Sequence, residues 1–106
     1  QTPNGESSST IRARVQRAIA WRTQRGQQTP NARLSAKELK VHCQLSDEAM
    51  KLLRMAMQEL ELSARSYGKI LKIARTIADL VEQATIQPDH IAEAIQYRNL
   101  DRRLWR

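Results

Sequence analysis

Residues 63–83 read SARSYGKILKIARTIADLVEQ. Tyr67, Ile70, Leu71, Ala74, Ile77, Ala78 and Val81 recur here at spacings of three and four, which gathers them on an arc of roughly 120° when the segment is wound as a helix. Arg65, Lys69, Lys72, Arg75 and Asp79 fall on the opposite side. The stretch therefore predicts an amphipathic helix, capped by Ser63 and running to about Gln83. Gly68 interrupts it at a cost on the order of 1 kcal/mol relative to Ala, unless close packing requires the missing side chain.

The neighbouring segments repeat this grammar. Ser46-Asp47-Glu48 opens a helix with a capping serine and two acids that complement its dipole. Its face of Ala49, Met50, Leu53, Ala56, Met57 and Leu60 is expected in the core. Ser35-Ala36-Lys37-Glu38 is a capping box, predicting a short helix to about His42 with Leu39 inward. Further upstream, Ile11, Val15, Ala18 and Ile19 share one face of a helix from Thr10 to Arg25, capped by Ser8 or Ser9 and stopped by Gly26. Downstream, Pro88 suits the first turn of a last helix, with Ile91, Ala94, Ile95 and Tyr97 facing inward. Residues 1–9 read as a flexible lead-in and 101–106 as a basic tail.

These elements predict an all-α fold, a bundle of about five helices forming one domain over residues 10–100. Composition agrees: Ala, Leu and Ile dominate the apolar set of this 106-residue chain, with no Phe, three Gly and three Pro. No window approaches the roughly 18 apolar residues of a membrane span. Cys43 is the single cysteine, so no intramolecular disulfide forms, and a cytoplasmic location is expected. The chain begins with Gln1, which suggests a piece of a longer protein.

Little in the sequence supports catalysis by this chain alone. Its three glycines are too sparse for a phosphate-cradling loop, and the adjacent His42 and Cys43 point in different directions on a helix. With His90 distant, these residues lack the paired spacing of a zinc site, and Cys43 reads as a small buried thiol at a helix end. The carboxylates are expected on solvent faces.

Two cationic features stand out. The formal net charge is +7, from 18 Lys plus Arg against 11 Asp plus Glu. The excess is local, since residues 7–37 carry seven basic side chains and no acid. On the first helix Arg14, Arg17, Trp21 and Arg25 lie within about 80° of one another. Such a strip fits phosphate contacts with Trp21 stacking on a base, a face covered by a partner subunit, or a solvated surface. The second feature is Arg65, a cation in the first turn of a helix, where the dipole disfavours it. It has a reason to be there if an anion sits nearby, and otherwise it points to solvent.

Ser63-Ala64-Arg65-Ser66-Tyr67, the run Ile70-Leu71-Lys72-Ile73-Ala74-Arg75-Thr76-Ile77-Ala78-Asp79-Leu80, and His90-Ile91-Ala92-Glu93-Ala94-Ile95-Gln96-Tyr97-Arg98 resemble the carboxy-terminal domain of bacterial magnesium-chelatase-like AAA+ ATPases of the ComM/YifB group. Gly5-Glu6-Ser7-Ser8 and Ile11-Arg12-Ala13-Arg14-Val15 are similar to the start of that domain. The resemblance implies a helical lid beside an upstream α/β nucleotide-binding core, in which Arg65 is the sensor 2 arginine reaching the nucleotide phosphates and Ser63 caps the helix beside it. It implies ATP and Mg²⁺ in the full-length protein, with none bound by this domain alone, and a hexameric ring of subunits. DNA translocation or branch migration, or Mg²⁺ insertion into a porphyrin, would be the process served. Gly68 departs from the family pattern, where a histidine or another larger residue is common, and this bears on the shape of the site around Arg65. The competing reading is a free-standing basic helical module that binds nucleic acid.

Overall fold

A computed structural model describes residues 7–104, the last four through their backbone. The expected lead-in up to residue 6 and the side chains of the tail 101–106 lie outside the described residues. Five α-helices follow one another: α1 (Ser8–Gln24), α2 (Ala36–His42), α3 (Asp47–Glu59), α4 (Ala64–Leu80) and α5 (Pro88–Leu104), with a single 3-10 turn, Asn31–Arg33, before α2. The all-helical bundle expected from the sequence is what forms.

The helix starts follow from their caps. Ser35 Oγ accepts from the Glu38 amide at 3.2 Å while Glu38 Oε1 accepts from the Ser35 amide at 3.0 Å. These bonds hold the Glu38 carboxyl below its ordinary range. Ser46 and Ser63 cap α3 and α4, and Pro88 opens α5. At α1 the cap is Ser7 rather than Ser8 or Ser9: its hydroxyl accepts from the Thr10 amide at 3.2 Å, and the helix begins two residues earlier than expected. At α5 the backbone stays helical to Leu104, so its last turn includes residues expected in the tail.

Three helices end in the same turn, with two backbone bonds closing over a left-handed residue. At α1 this residue is Gly26 (φ +86°); at α3 and α4 it is Glu61 (φ 49°) and Glu82 (φ 54°). In α4 the Glu82 amide donates to Asp79 O and the Gln83 amide to Ala78 O, which stops the helix at Leu80 instead of Gln83.

Helix α4 lies at the centre, packed most extensively on α5 and also against α1, α2 and the 3-10 turn. Leu53, Ile70, Ala74, Ala78, Ile86, Ile91 and Ala94 are fully enclosed, and Cys43 is buried at the end of α2. The loops before α3 and before α5 are joined by a parallel bridge, in which the Ile86 amide donates to Gln44 O at 2.8 Å and the Ser46 amide to Ile86 O at 3.0 Å. Several expected core positions are instead exposed: Leu60 and Val81, which form helix ends, and Tyr97 on α5. Helix α1 contributes no buried residue, and Val15 and Ile19 remain nearly half exposed.

The largest correction concerns α4. Arg75 and Asp79, expected on its wet side, are buried at 0% and 2% exposure. The second half of that side is covered, because α1, the 3-10 turn and the loop following α4 itself close over Arg75 and Asp79, while Arg65 and Lys69 stay exposed. Arg75 Nη1 donates to His42 O at 3.0 Å and to Ala84 O at 2.9 Å, and Nη2 donates to Gln83 O. One guanidinium thus satisfies the last carbonyl of α2, where a cation also complements the helix dipole, and two carbonyls of the loop that follows α4. Burial pushes the Arg75 pKa down from its usual value, and the Asp79 charge opposes that shift.

Candidate anion site at the start of α4

The first turn of α4 presents the predicted site residues. Ser63 Oγ accepts from the Ser66 amide at 3.2 Å and its hydroxyl donates to Ser66 Oγ at 3.3 Å. Arg65, between these serines, is exposed, and no hydrogen bond or ion pair joins it to another described residue. A cation therefore stands at the positive end of α4 without a carboxylate to compensate it, an arrangement that favours an incoming anion.

Beside Arg65 lies an open groove of about 550 Å³ between α2 and α4. Leu34, Leu39, Ala64 and Gly68 form its apolar floor, with Arg65, Lys69 and Lys72 along it. Packing does not require glycine at 68, because an added Cβ would meet Leu39 Cδ1 at 3.7 Å, an ordinary contact. The missing side chain leaves the groove deeper next to Arg65.

The basic strip on α1 is not assembled as the helical projection suggested. Arg17 is exposed, while Arg14 and Trp21 are half-buried. Trp21 lines an open groove with Gln24, Val41, His42 and Gln44. Arg25 is the correction: it turns inward, and its two Nη groups grip both Asp79 oxygens at 2.6 and 3.0 Å. Its guanidinium also donates to Gln27 Oε1 and Asn31 Oδ1. Arg25 is thus a tether between α1 and α4, and the exposed cations of α1 must act without it.

One residue near Arg65 escaped the sequence reading. Arg98, on α5, is 9% exposed, and its Nη2 donates to Ser66 Oγ at 3.0 Å. A signal for it was present, since Ile91, Ala94, Ile95 and Arg98 follow the i, i+3, i+4, i+7 spacing of a buried face. A cation on that stripe has to find a polar partner inside.

Residues 5–98 match the family described as magnesium chelatase, subunit ChlI C-terminal. The chain belongs to this family. Among relatives of the ChlI C-terminal domain, the uncharacterized protein YifB of Salmonella typhimurium is 40% identical over 100 residues, covering 94% of this chain and 20% of YifB. Competence protein ComM of Haemophilus influenzae is 39% identical over 100 residues, again 94% of this chain and 19% of ComM. YifB of Escherichia coli is 39% identical with the same coverage of this chain. The chain spans about a fifth of the length of these relatives. The ChlI C-terminal match contains the whole of α4 and both Arg65 and Arg98.

Among the described residues no group of three or more His, Cys, Asp or Glu is arranged to hold a metal ion. No helix there is long and apolar enough to cross a membrane.

Proposed function

We propose that this domain is the lid of a magnesium-chelatase-related AAA+ ATPase and that Arg65 is its nucleotide-sensing arginine. The observation that carries this reading is the uncompensated, exposed guanidinium in the capped first turn of α4. A nucleotide triphosphate held by an upstream core supplies the anion that this position lacks. Arg65 then couples the state of the nucleotide to the position of the lid and stabilises charge as the phosphoryl group transfers. The reading assigns the phosphate loop and the Mg²⁺ ligands to the core, and makes the working unit a ring of subunits, hexameric by the family resemblance, in the cytoplasm. Hydrogen exchange on the full-length protein tests it: a non-hydrolysable ATP analogue should slow exchange of the amides at residues 64–67. Unchanged exchange there, with nucleotide demonstrably bound, contradicts it.

A second surface belongs to the same reading. Helix α1 sets exposed Arg12 on the same face as half-exposed Val15 and Ile19. That mixture suits a neighbouring subunit or the core of the same protein better than DNA, because phosphate recognition gains nothing from the aliphatic side chains. The competing module reading predicts that the isolated domain retards DNA, with affinity falling steeply as salt rises. A salt-sensitive shift at micromolar protein would favour it over the subunit contact.

A further inference from the structure

Helix α5 delivers a second arginine to the turn that carries Arg65. Ser66 Oγ accepts from both Arg98 Nη2, at 3.0 Å, and Ser63 Oγ, at 3.3 Å. The two serines bracket Arg65 in sequence, so its turn is fastened internally by Ser63 and externally by a residue of another helix. Among the described residues Arg98 also donates from Nη1 to Asn99 Oδ1, at 3.3 Å. No carboxylate pairs with Arg98 among the described residues. A guanidinium that is nine-tenths buried, with no carboxylate partner among the described residues, and aimed at the positive end of a helix is unfavourable on each count. Apolar packing would join α4 to α5 at lower cost, so stability alone does not account for it.

We infer that Arg98 is a positioning residue for Arg65. Through Ser66 it fixes the first turn of α4 against α5, so that Arg65 projects at a defined angle, and its charge behind that turn strengthens the attraction of the same face for phosphate. This rests on the nucleotide-sensing reading of Arg65. Movement of α5 relative to α4 would then alter the reach of Arg65, which makes their contact part of the coupling between nucleotide and lid.

The test is steady-state ATP hydrolysis by the full-length protein as Arg65→Ala, Arg98→Ala, Arg98→Lys, Ser66→Ala and the Arg65→Ala/Arg98→Ala pair, with thermal unfolding of each. Arg98→Ala and Ser66→Ala should each reduce kcat/KM by about ten- to a hundredfold, since a displacement of about 1 Å at a reacting group can cost about a hundredfold. Arg98→Lys should recover part of the loss, and the double variant should be no worse than Arg65→Ala alone, because Arg98 acts through Arg65. Ser66→Ala and Arg98→Lys keep the test open if Arg98→Ala unfolds the domain. Wild-type kcat/KM in Ser66→Ala and Arg98→Ala, with Arg65→Ala impaired, overturns the positioning role and leaves the reading of Arg65 standing. Losses that add in the double variant and follow a lowered melting temperature also overturn it, by making Arg98 purely structural. Wild-type turnover in Arg65→Ala overturns the underlying reading itself.

Discussion

Asp79 and Arg25, 54 residues apart, form a bidentate pair that closes α1 onto α4, with Nη to carboxylate distances of 2.6 and 3.0 Å. Asp79 simultaneously accepts from Arg75 Nε at 3.1 Å and from Asn31 Nδ2 at 2.9 Å. Three elements, α1, the 3-10 turn and α4 itself, thus converge on one carboxylate. Because α1 buries no residue of its own, this polar junction has an outsized share in holding it to the bundle.

Asp79→Ala should be among the most damaging single changes in the domain. It leaves Arg75 buried without its counter-charge, and breaking one side of a buried pair typically costs about 3–5 kcal/mol. At about 4–8 °C per kcal/mol for a domain of this size, the melting temperature should fall by more than roughly 10 °C. Arg25→Ala should act more locally, at about 1–3 kcal/mol, since its side chain retains 19% exposure. Hydrogen exchange should then accelerate in α1 while the centre of α4 stays protected. Uniform acceleration through both helices would argue against a local tether.

This junction also marks the boundary of what the amino-acid sequence makes legible. The starts of α2, α3, α4 and α5 were readable because a cap is a local event: Ser35 with Glu38, Ser46, Ser63 and Pro88 act within one turn. The fate of Arg75, Asp79 and Arg25 is tertiary. A helical projection assigns charged residues to water, and only the arrival of α1, the 3-10 turn and the loop following α4 converts the surroundings of Arg75 and Asp79 into an interior. At the site, Arg65 and its cap were legible from motif and dipole. Arg98 was not assigned, because its partner Ser66 lies 32 residues earlier and on another helix.

Cys43 should behave as an inert thiol with a measurable effect on alkaline stability. Burial pushes its pKa up to about 11, against about 8.5 in an unfolded chain. Because the folded value is the raised one, this contribution is intact below about pH 8.5 and is lost progressively as pH rises toward 11. Urea midpoints compared between wild type and Cys43→Ala from pH 8 to 10.5 isolate it from other groups: the wild type should lose stability more steeply. Parallel curves would contradict the burial argument. At pH 8, a thiol reagent should react only at the rate of unfolding.

Glycine and glutamate occupy each other's favoured places in this chain. Gly68 sits inside α4 where an added Cβ has room, so Gly68→Ala should stabilise the domain by up to about 1 kcal/mol. Glu61 and Glu82 hold left-handed conformations that suit glycine, so Glu82→Gly should also raise the melting temperature, by a few degrees at most. Thermal unfolding measures both; a decrease for Gly68→Ala would show that the groove between α2 and α4 tolerates no added methyl group.

The central claim is that Arg65 senses nucleotide, and ATP hydrolysis by the full-length protein tests it most directly. Arg65→Ala should lower turnover by about two orders of magnitude or more, the scale on which arginines stabilise phosphoryl transfer, while the 106-residue domain carrying the same change melts at the wild-type temperature. Wild-type turnover in Arg65→Ala would contradict the account.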